Sequence, residues 1–366
     1  MNNLRLTVFT KFLLTFLIVG GFGYGLYFFA NNTEAGRKMA EQTNNTSISD
    51  ESNQTITTPR TTEQATKTVE TFKPVAMEIF IEQPPITNPV YGGVVTVGSK
   101  SFDAFVFKQQ KGTTNYELVN AEYGLNKIKN VISSTQASQI VNEVKDKIIT
   151  MMREHGAPGK NIHFELSSGA QKNPNMKVLV EALKKKGYIV NKTTIAREAT
   201  YGFIASVPIE HRDESGFVDI GGGNTKVGAA KGKNVVTCAI DYGTKMNTSQ
   251  MGEAMLAIND CQGMLADKET IFFIGGIVFI NAAKIYGYSP EQVQDVKYLS
   301  LDYNDIKRYY DAVKMSNVEE VIFYSREEYI NGTALLLQFM ENNPGADFVF
   351  NTNANWAIGP VLSYND

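Results

Sequence analysis

The sequence predicts an α/β fold of two related halves around a cleft, carried behind an N-terminal transmembrane helix. Three observations lead there. A hairpin pattern with a glycine turn occurs twice, at Val94–Phe107 and at Phe217–Ala230. Each copy is followed by helical periodicity and further short strands, the alternation that builds α/β layers. The third is Phe12–Ala30, FLLTFLIVGGFGYGLYFFA, which runs nineteen residues without a charge and is long enough to cross a bilayer.

The membrane segment comes first in the chain. Tyr24, Tyr27, Phe28 and Phe29 crowd its far end, where interfacial aromatics belong. Signal peptides end in small residues instead, so this span is expected to stay uncleaved. Arg5, Lys11 and the amino terminus precede it, and Arg37 and Lys38 follow, a slight bias towards a cytoplasmic N-terminus. Residues 31–73 are dominated by Thr, Asn, Ser, Gln and Glu and cannot bury enough apolar surface to fold. They read as a flexible tether that places the globular body outside the cytoplasm.

The folded region is expected to divide into residues 74–214 and 215–366. PVAMEIFIEQPPITNP marks its entrance with a proline-rich turn. GGVVTVGSKSFDAFVFKQ (Gly92–Gln109) gives a strand, a Gly-Ser turn and a second strand at Phe102–Phe107. Helical spacing follows over Ser138–His155, then a strand at Asn161–Leu166 and a helix at Asn175–Lys186 closed by Gly187. A short strand at Tyr188–Asn191 and a helix at Arg197–Ala205 complete the first half. The second half opens with the strands of GFVDIGGGNTKVGAAKGKNVVTCAIDYG. Next come a strand, a Gly-Gly turn and a helix within Ile271–Gly287, helices at Asp302–Lys314 and Ser325–Asn343, and a last strand at Asp347–Phe350.

Composition narrows the chemistry. A net charge of -3 over 366 residues gives no general attraction to nucleic acid, which is not an expected partner. The two cysteines, Cys238 and Cys261, form no CxxC, which argues against a thiolate zinc site or a disulfide framework. They either stay free in the core or form one disulfide in an oxidising compartment. His155, His163 and His211 show no metal-ligand spacing. Glycines in opposed turns can instead bring backbone N–H groups close to one anion.

The stretch VDIGGGNTKVGAAKGKNVVTCAIDYG resembles the second phosphate motif of the exopolyphosphatase/guanosine-pentaphosphate phosphatase (Ppx/GppA) family, which carries a DIGGGST-like turn. VVTVGSKSFDAFVF resembles its first phosphate motif, of the form VDLGSNSFRLLV. KTTIAREATYGFIAS resembles the segment with EEAR, FFIGGIVFINAA its later glycine turn, and NTNANWAIGPVL its C-terminal DGALREGVL segment. Order and spacing hold from Gly92 to Leu362. The resemblance implies two ribonuclease-H-like (actin-like ATPase) domains, a phosphate-chain site in the cleft, and hydrolysis of terminal phosphoanhydrides, usually with Mg²⁺. It implies that Glu198 activates water and that Asp219 holds the cation or water. Gly98, Ser99, Lys100 and Ser101 would form the first phosphate loop, and Gly221, Gly222, Gly223, Asn224 and Thr225 the second.

Several positions depart from the pattern. Thr96 stands where the first motif has its aspartate, and Arg197 replaces one of two adjacent glutamates. The run LSSGAQKNPN lacks the family's arginine, with Lys172 the nearest cation, and Ala357 and Ile358 replace an Arg-Glu pair. The expected function is therefore a cleft that binds polyphosphate or a nucleotide-like anion with reduced or lost hydrolysis. The alternatives are an active metal-dependent phosphohydrolase and a scaffold for an envelope protein. Residue by residue, other readings stand beside these: a glycine turn needed only for positive φ at Gly221–Gly223, a helix N-terminal carboxylate at Glu198, and close packing at Gly275 and Gly276.

Overall fold

Strands of period two and helices of period 3.6 assemble here into alternating layers. The computed structural model describes residues 79, 81–98, 102–123, 133–159, 162–174 and 176–364, all within the unit Lys67–Asp366. The expected membrane helix and tether lie outside these residues. Among the described residues no helix is long and apolar enough to cross a membrane.

The first sheet begins with β1 (Pro89–Val97) and β2 (Phe102–Gln110), an antiparallel hairpin in which Val97 pairs with Phe102. β3 (Tyr116–Glu122) extends it on one side. α1 (Ser134–His155) starts four residues earlier than its apolar spacing indicates, because Ser133 and Gln136 form a capping box. β4 (Ile162–Leu166) then lies parallel to β1. The short α2 (Ser168–Gln171) and α3 (Met176–Lys185) lead to β5 (Ile189–Lys192), and Gly187 takes the left-handed conformation after α3. The strand order is β3-β2-β1-β4-β5. α4 (Ile195–Ser206) follows, capped by Thr194.

The second sheet repeats that grammar. β6 (Ser215–Ile220), β7 (Thr225–Lys231) and β8 (Asn234–Ile240) form an antiparallel meander. α5 (Met251–Cys261) leads to β9 (Thr270–Ile274), parallel to β6, and to α6 (Gly276–Tyr286). α7 (Pro290–Asp295), β10 (Tyr298–Ser300), α8 (Tyr303–Met315), the small hairpin β11 (Glu320–Val321) and β12 (Tyr324–Ser325), α9 (Arg326–Asn342) and β13 (Asp347–Asn351) complete it. Its order, β10-β13-β9-β6-β7-β8, contains the order of the first sheet with one strand added at the β13 edge. The two-sheet α/β arrangement expected from the repeated hairpins is thus present.

Alternation decides which layer each strand face meets. On the first sheet Val95, Val97, Phe102, Ala104 and Val106 pack under α1 and α3. Val94, Phe105 and Phe107 face the other way, onto Ile358, Val361 and Leu362 of the last helix, α10 (Ile358–Tyr364). On the second sheet Val218, Ile220, Ile271 and Phe273 pack towards α5, α6 and α9, while Phe217, Phe272 and Val349 meet Phe203 of α4. α4 and α10 therefore fill the layer between the sheets. Gly202 and Gly359 allow this closeness: a Cβ on Gly202 would run into the Phe217 ring, and one on Gly359 would lie 2.7 Å from the Tyr201 Cα.

Cys238 on β8 and Cys261 at the end of α5 form a disulfide, with their Cα atoms 5.8 Å apart. This settles the pairing that the sequence leaves open. The bridge ties the outermost strand of the meander to the helix that covers it.

Candidate anion-binding site

β1 and β4 end side by side, as do β6 and β9, and the Asn224 Nδ2 to Ser168 Oγ contact of 3.4 Å joins the two pairs of ends. Such strand ends form the crevice that open α/β sheets use for ligands. Gly98 follows β1, and Ser167 beside it donates its N–H to the Val97 carbonyl at 3.3 Å. Ser99, Lys100 and Ser101 lie outside the described residues.

The second turn is built by the β6–β7 pairing. Ile220 pairs with Thr225, and Asp219 pairs with Lys226, so the last two side chains sit across from each other on one face. The Lys226 ammonium lies 2.8 Å from Asp219 Oδ2 and 3.4 Å from Glu198 Oε2. Glu198 enters from the first turn of α4, and its Oε1 accepts the Ser168 N–H at 2.5 Å. All three charged side chains are buried, at 1% exposure for Glu198 and 5% for Asp219 and Lys226. Burial alone would lower the Lys226 pKa. The attraction of Asp219 and then Glu198, with hydrogen bonds to both, outweighs it and holds the ammonium above the usual lysine value. Glu198 is thus a member of a buried ion cluster rather than a solvated helix-end carboxylate.

The glycines of this turn are not needed for positive φ, since none of Gly221, Gly222 and Gly223 adopts it. Close approach to backbone is the reason at Gly221, while Gly222 is neighboured only by the movable end of Lys245. A Cβ on Gly221 would lie 3.0 Å from the Asn224 carbonyl oxygen and 3.3 Å from Lys226 Nζ, and one on Gly222 would lie 3.3 Å from Lys245 Cε. The carbonyls of Gly221 and Gly222 are turned back onto the Thr244 and Lys245 amides, at 3.0 and 2.9 Å. The Gly222 and Gly223 amides have no partner among the described residues, and a Cβ on Gly223 would meet open space. Successive unpartnered amides in a turn are the donors an anion nest uses. Asn224 Nδ2 donates to Ser168 Oγ at 3.4 Å and links the turn to the first half. Thr225 does not serve as an outward donor: its hydroxyl donates to the Tyr242 carbonyl at 2.9 Å and its side chain is fully buried.

Four contributors escape sequence reasoning. Lys226 and Lys245 provide cations, Gly243 lies under the turn, and Tyr324 directs its hydroxyl at Gly276. Burial, with smaller contributions from Glu328 and Asp219, pushes the Tyr324 phenol up to about 12. Gly275, at φ 110°, brings α6 against Asp219: a Cβ there would lie 3.1 Å from Asp219 Oδ1. The only advance signal for Lys226 is its place seven residues after Asp219 across a four-residue turn.

No protein-family profile matches the chain, and no curated protein does either. Solved structures do. The Ppx/GppA family member of Aquifex aeolicus aligns over 75% of this chain and 97% of its own, at 17% identity and TM-score 0.57. An exopolyphosphatase from Cytophaga hutchinsonii aligns over 76% and 98%, at 15% identity and TM-score 0.58. This chain has the Ppx/GppA fold. An exopolyphosphatase-like protein gives the same answer at TM-score 0.54 and 15% identity.

The Mg²⁺ implied by the family resemblance finds a poor fit among the donors of this Ppx/GppA-fold cleft. Among the described residues no group of three or more His, Cys, Asp or Glu side chains is placed to hold a metal ion. The Thr96 hydroxyl faces Asp103, 3.3 Å from both its carbonyl oxygen and Oδ2. A divalent ion about 3 Å from the Lys226 ammonium would meet repulsion on the order of 10 kcal/mol at an effective dielectric constant near 20.

Behind Thr96, Glu165 pairs across β1 and β4 with Thr96 and across β5 with Asn191, whose Nδ2 donates to Glu165 Oε1 at 2.6 Å. Burial raises its pKa to about 7, against hydrogen bonds from Asn191 and Thr193 that lower it. A folded-state value above the unfolded one means stability present below the ordinary carboxylate range and lost as pH rises towards 7. Glu165→Gln is expected to flatten that loss and to gain roughly 2–3 kcal/mol at pH 8. Urea unfolding at pH 5 and 8 measures it, and an unchanged pH slope would refute the assignment.

Proposed function

We propose that this chain is a membrane-anchored protein whose extracytoplasmic cleft binds phosphate chains, polyphosphate or a nucleotide-like anion, with hydrolysis reduced or lost. The observation that carries this reading is the ammonium of Lys226 held between Glu198 and Asp219 beside a turn whose Gly222 and Gly223 amides have no partner among the described residues. Amides and lysines suit a polyanion. The two carboxylates that hydrolysis would use to orient water or a cation are instead paired with the protein's own cation. The disulfide supports an oxidising compartment, since such bonds persist outside the cytosol. The uncharged Phe12–Ala30 segment supports the anchor.

The second reading, a metal-dependent phosphohydrolase, is favoured by the convergence of Glu198 and Asp219 at one point. Purified full-length chain, given Mg²⁺ or Mn²⁺, can be assayed for phosphate release from polyphosphate and from nucleoside tri- and tetraphosphates. Calorimetry with polyphosphate follows binding. The expected result is binding with at most trace turnover. Turnover that disappears in Glu198→Gln would establish the hydrolase, and absence of binding would leave only a scaffold role. Protease accessibility in intact cells tests the compartment.

A further inference from the structure

We infer that Lys226 is a tethered cation standing in the place of a divalent ion, so that anion binding in this cleft needs no metal. The inference rests on the phosphate-binding reading above. Each carboxylate directs one oxygen at the ammonium: Asp219 Oδ2 at 2.8 Å and Glu198 Oε2 at 3.4 Å. Of the remaining oxygens, Glu198 Oε1 accepts the Ser168 amide, and Asp219 Oδ1 faces Gly275, where a Cβ would lie 3.1 Å away. A metal ion bridging these carboxylates would compete at Glu198 either with the Ser168 amide or with Lys226, and would sit beside the ammonium. Moving the ammonium aside is unfavourable, because it is 5% exposed on a strand whose position is fixed by pairing on both sides.

The ammonium also lies directly against the glycine turn. It lies 3.3 Å from where a Gly221 Cβ would be, at the base of the turn that presents the Gly222 and Gly223 amides. Lys245 crosses above Gly222, with Nζ 3.4 Å from its Cβ position. Lys226 alone supplies the positive charge that both carboxylates share. The cleft thus carries this cation covalently, on a strand of its own sheet.

Mn²⁺ binding to the full-length protein, followed by electron paramagnetic resonance, tests the exchange of lysine for metal. The wild type is expected to bind no Mn²⁺ that Glu198→Gln removes. Lys226→Gln and Lys226→Met are expected to gain a site at least about tenfold tighter, lost again when Glu198→Gln is added. Polyphosphate affinity by calorimetry should change less than about twofold between EDTA and excess Mg²⁺. A wild-type Mn²⁺ site abolished by Glu198→Gln, or polyphosphate binding that requires Mg²⁺, would overturn the inference. Should the Lys226 variants fail to fold, the wild-type and Glu198→Gln comparison still decides. Polyphosphate that binds under neither condition would overturn the phosphate-binding reading, and the Mn²⁺ comparison then judges Lys226 by itself.

Discussion

Lys226→Met is expected to destabilise the protein by about 3–5 kcal/mol, the usual cost of removing one partner from a buried ion cluster. The loss follows from what remains. Glu198 and Asp219 would face each other across the space of a methyl group, both buried, with no positive charge between them. Repulsion and desolvation favour retaining a proton on such a pair. The deficit of the variant should therefore be smallest in acid and should grow as pH rises. In the wild type the raised Lys226 pKa has the opposite range: its stabilisation is complete through neutrality and is lost only as pH climbs through the folded-state value. Urea midpoints of both proteins at pH 5 and pH 8 measure the difference. A deficit that is absent, or equal at the two pH values, would show that the three charges do not act as one cluster.

Gly243→Ala is expected to abolish polyphosphate binding and to destabilise by about 3 kcal/mol or more, through overpacking and the loss of turn hydrogen bonds. A Cβ at residue 243 would collide with the Gly221 carbonyl oxygen and lie 2.8 Å from both the Asn224 nitrogen and the Gly222 carbonyl carbon. All three are backbone atoms, so no side chain can move away. The bonds from the Thr244 and Lys245 amides to the Gly221 and Gly222 carbonyls would have to break or shift. Gly223→Ala is the control. It has open space and ordinary φ, so its stability should stay within about 0.5–1 kcal/mol of wild type. Equal stability for the two variants would mean that Gly243 does not brace the turn.

These two positions show where reading the sequence succeeds and where it stops. Strands buried on alternate faces announce themselves: β2 places Phe102, Ala104 and Val106 on one side and Phe105 and Phe107 on the other. β3 gives no comparable signal, because six of its seven residues are half-buried and none is fully so. α10 contains Gly359 and Pro360, which read as a loop, and it is helical because Ile358, Val361 and Leu362 fill the inner face of a distant sheet. The glycine turn, Asp219 and Glu198 are legible from the motif. Lys226 is not, since a lysine in an alternating strand ordinarily faces water, and only the cross-strand register sets it against Asp219. Gly243 is silent for a related reason: its neighbours lie about twenty residues back along the chain.

The position of α10 also makes the first half depend on a distant part of the chain. The inner face of the first sheet, at Val94, Phe105 and Phe107, is covered by Trp356, Ile358, Val361 and Leu362. They stand on a segment far along the chain from these strands. Without that segment the first half has strands but only one of its two apolar faces closed. A strand change at Phe105 or Phe107 is thus felt at Val361 and Leu362, and the stability of the first half is not its own.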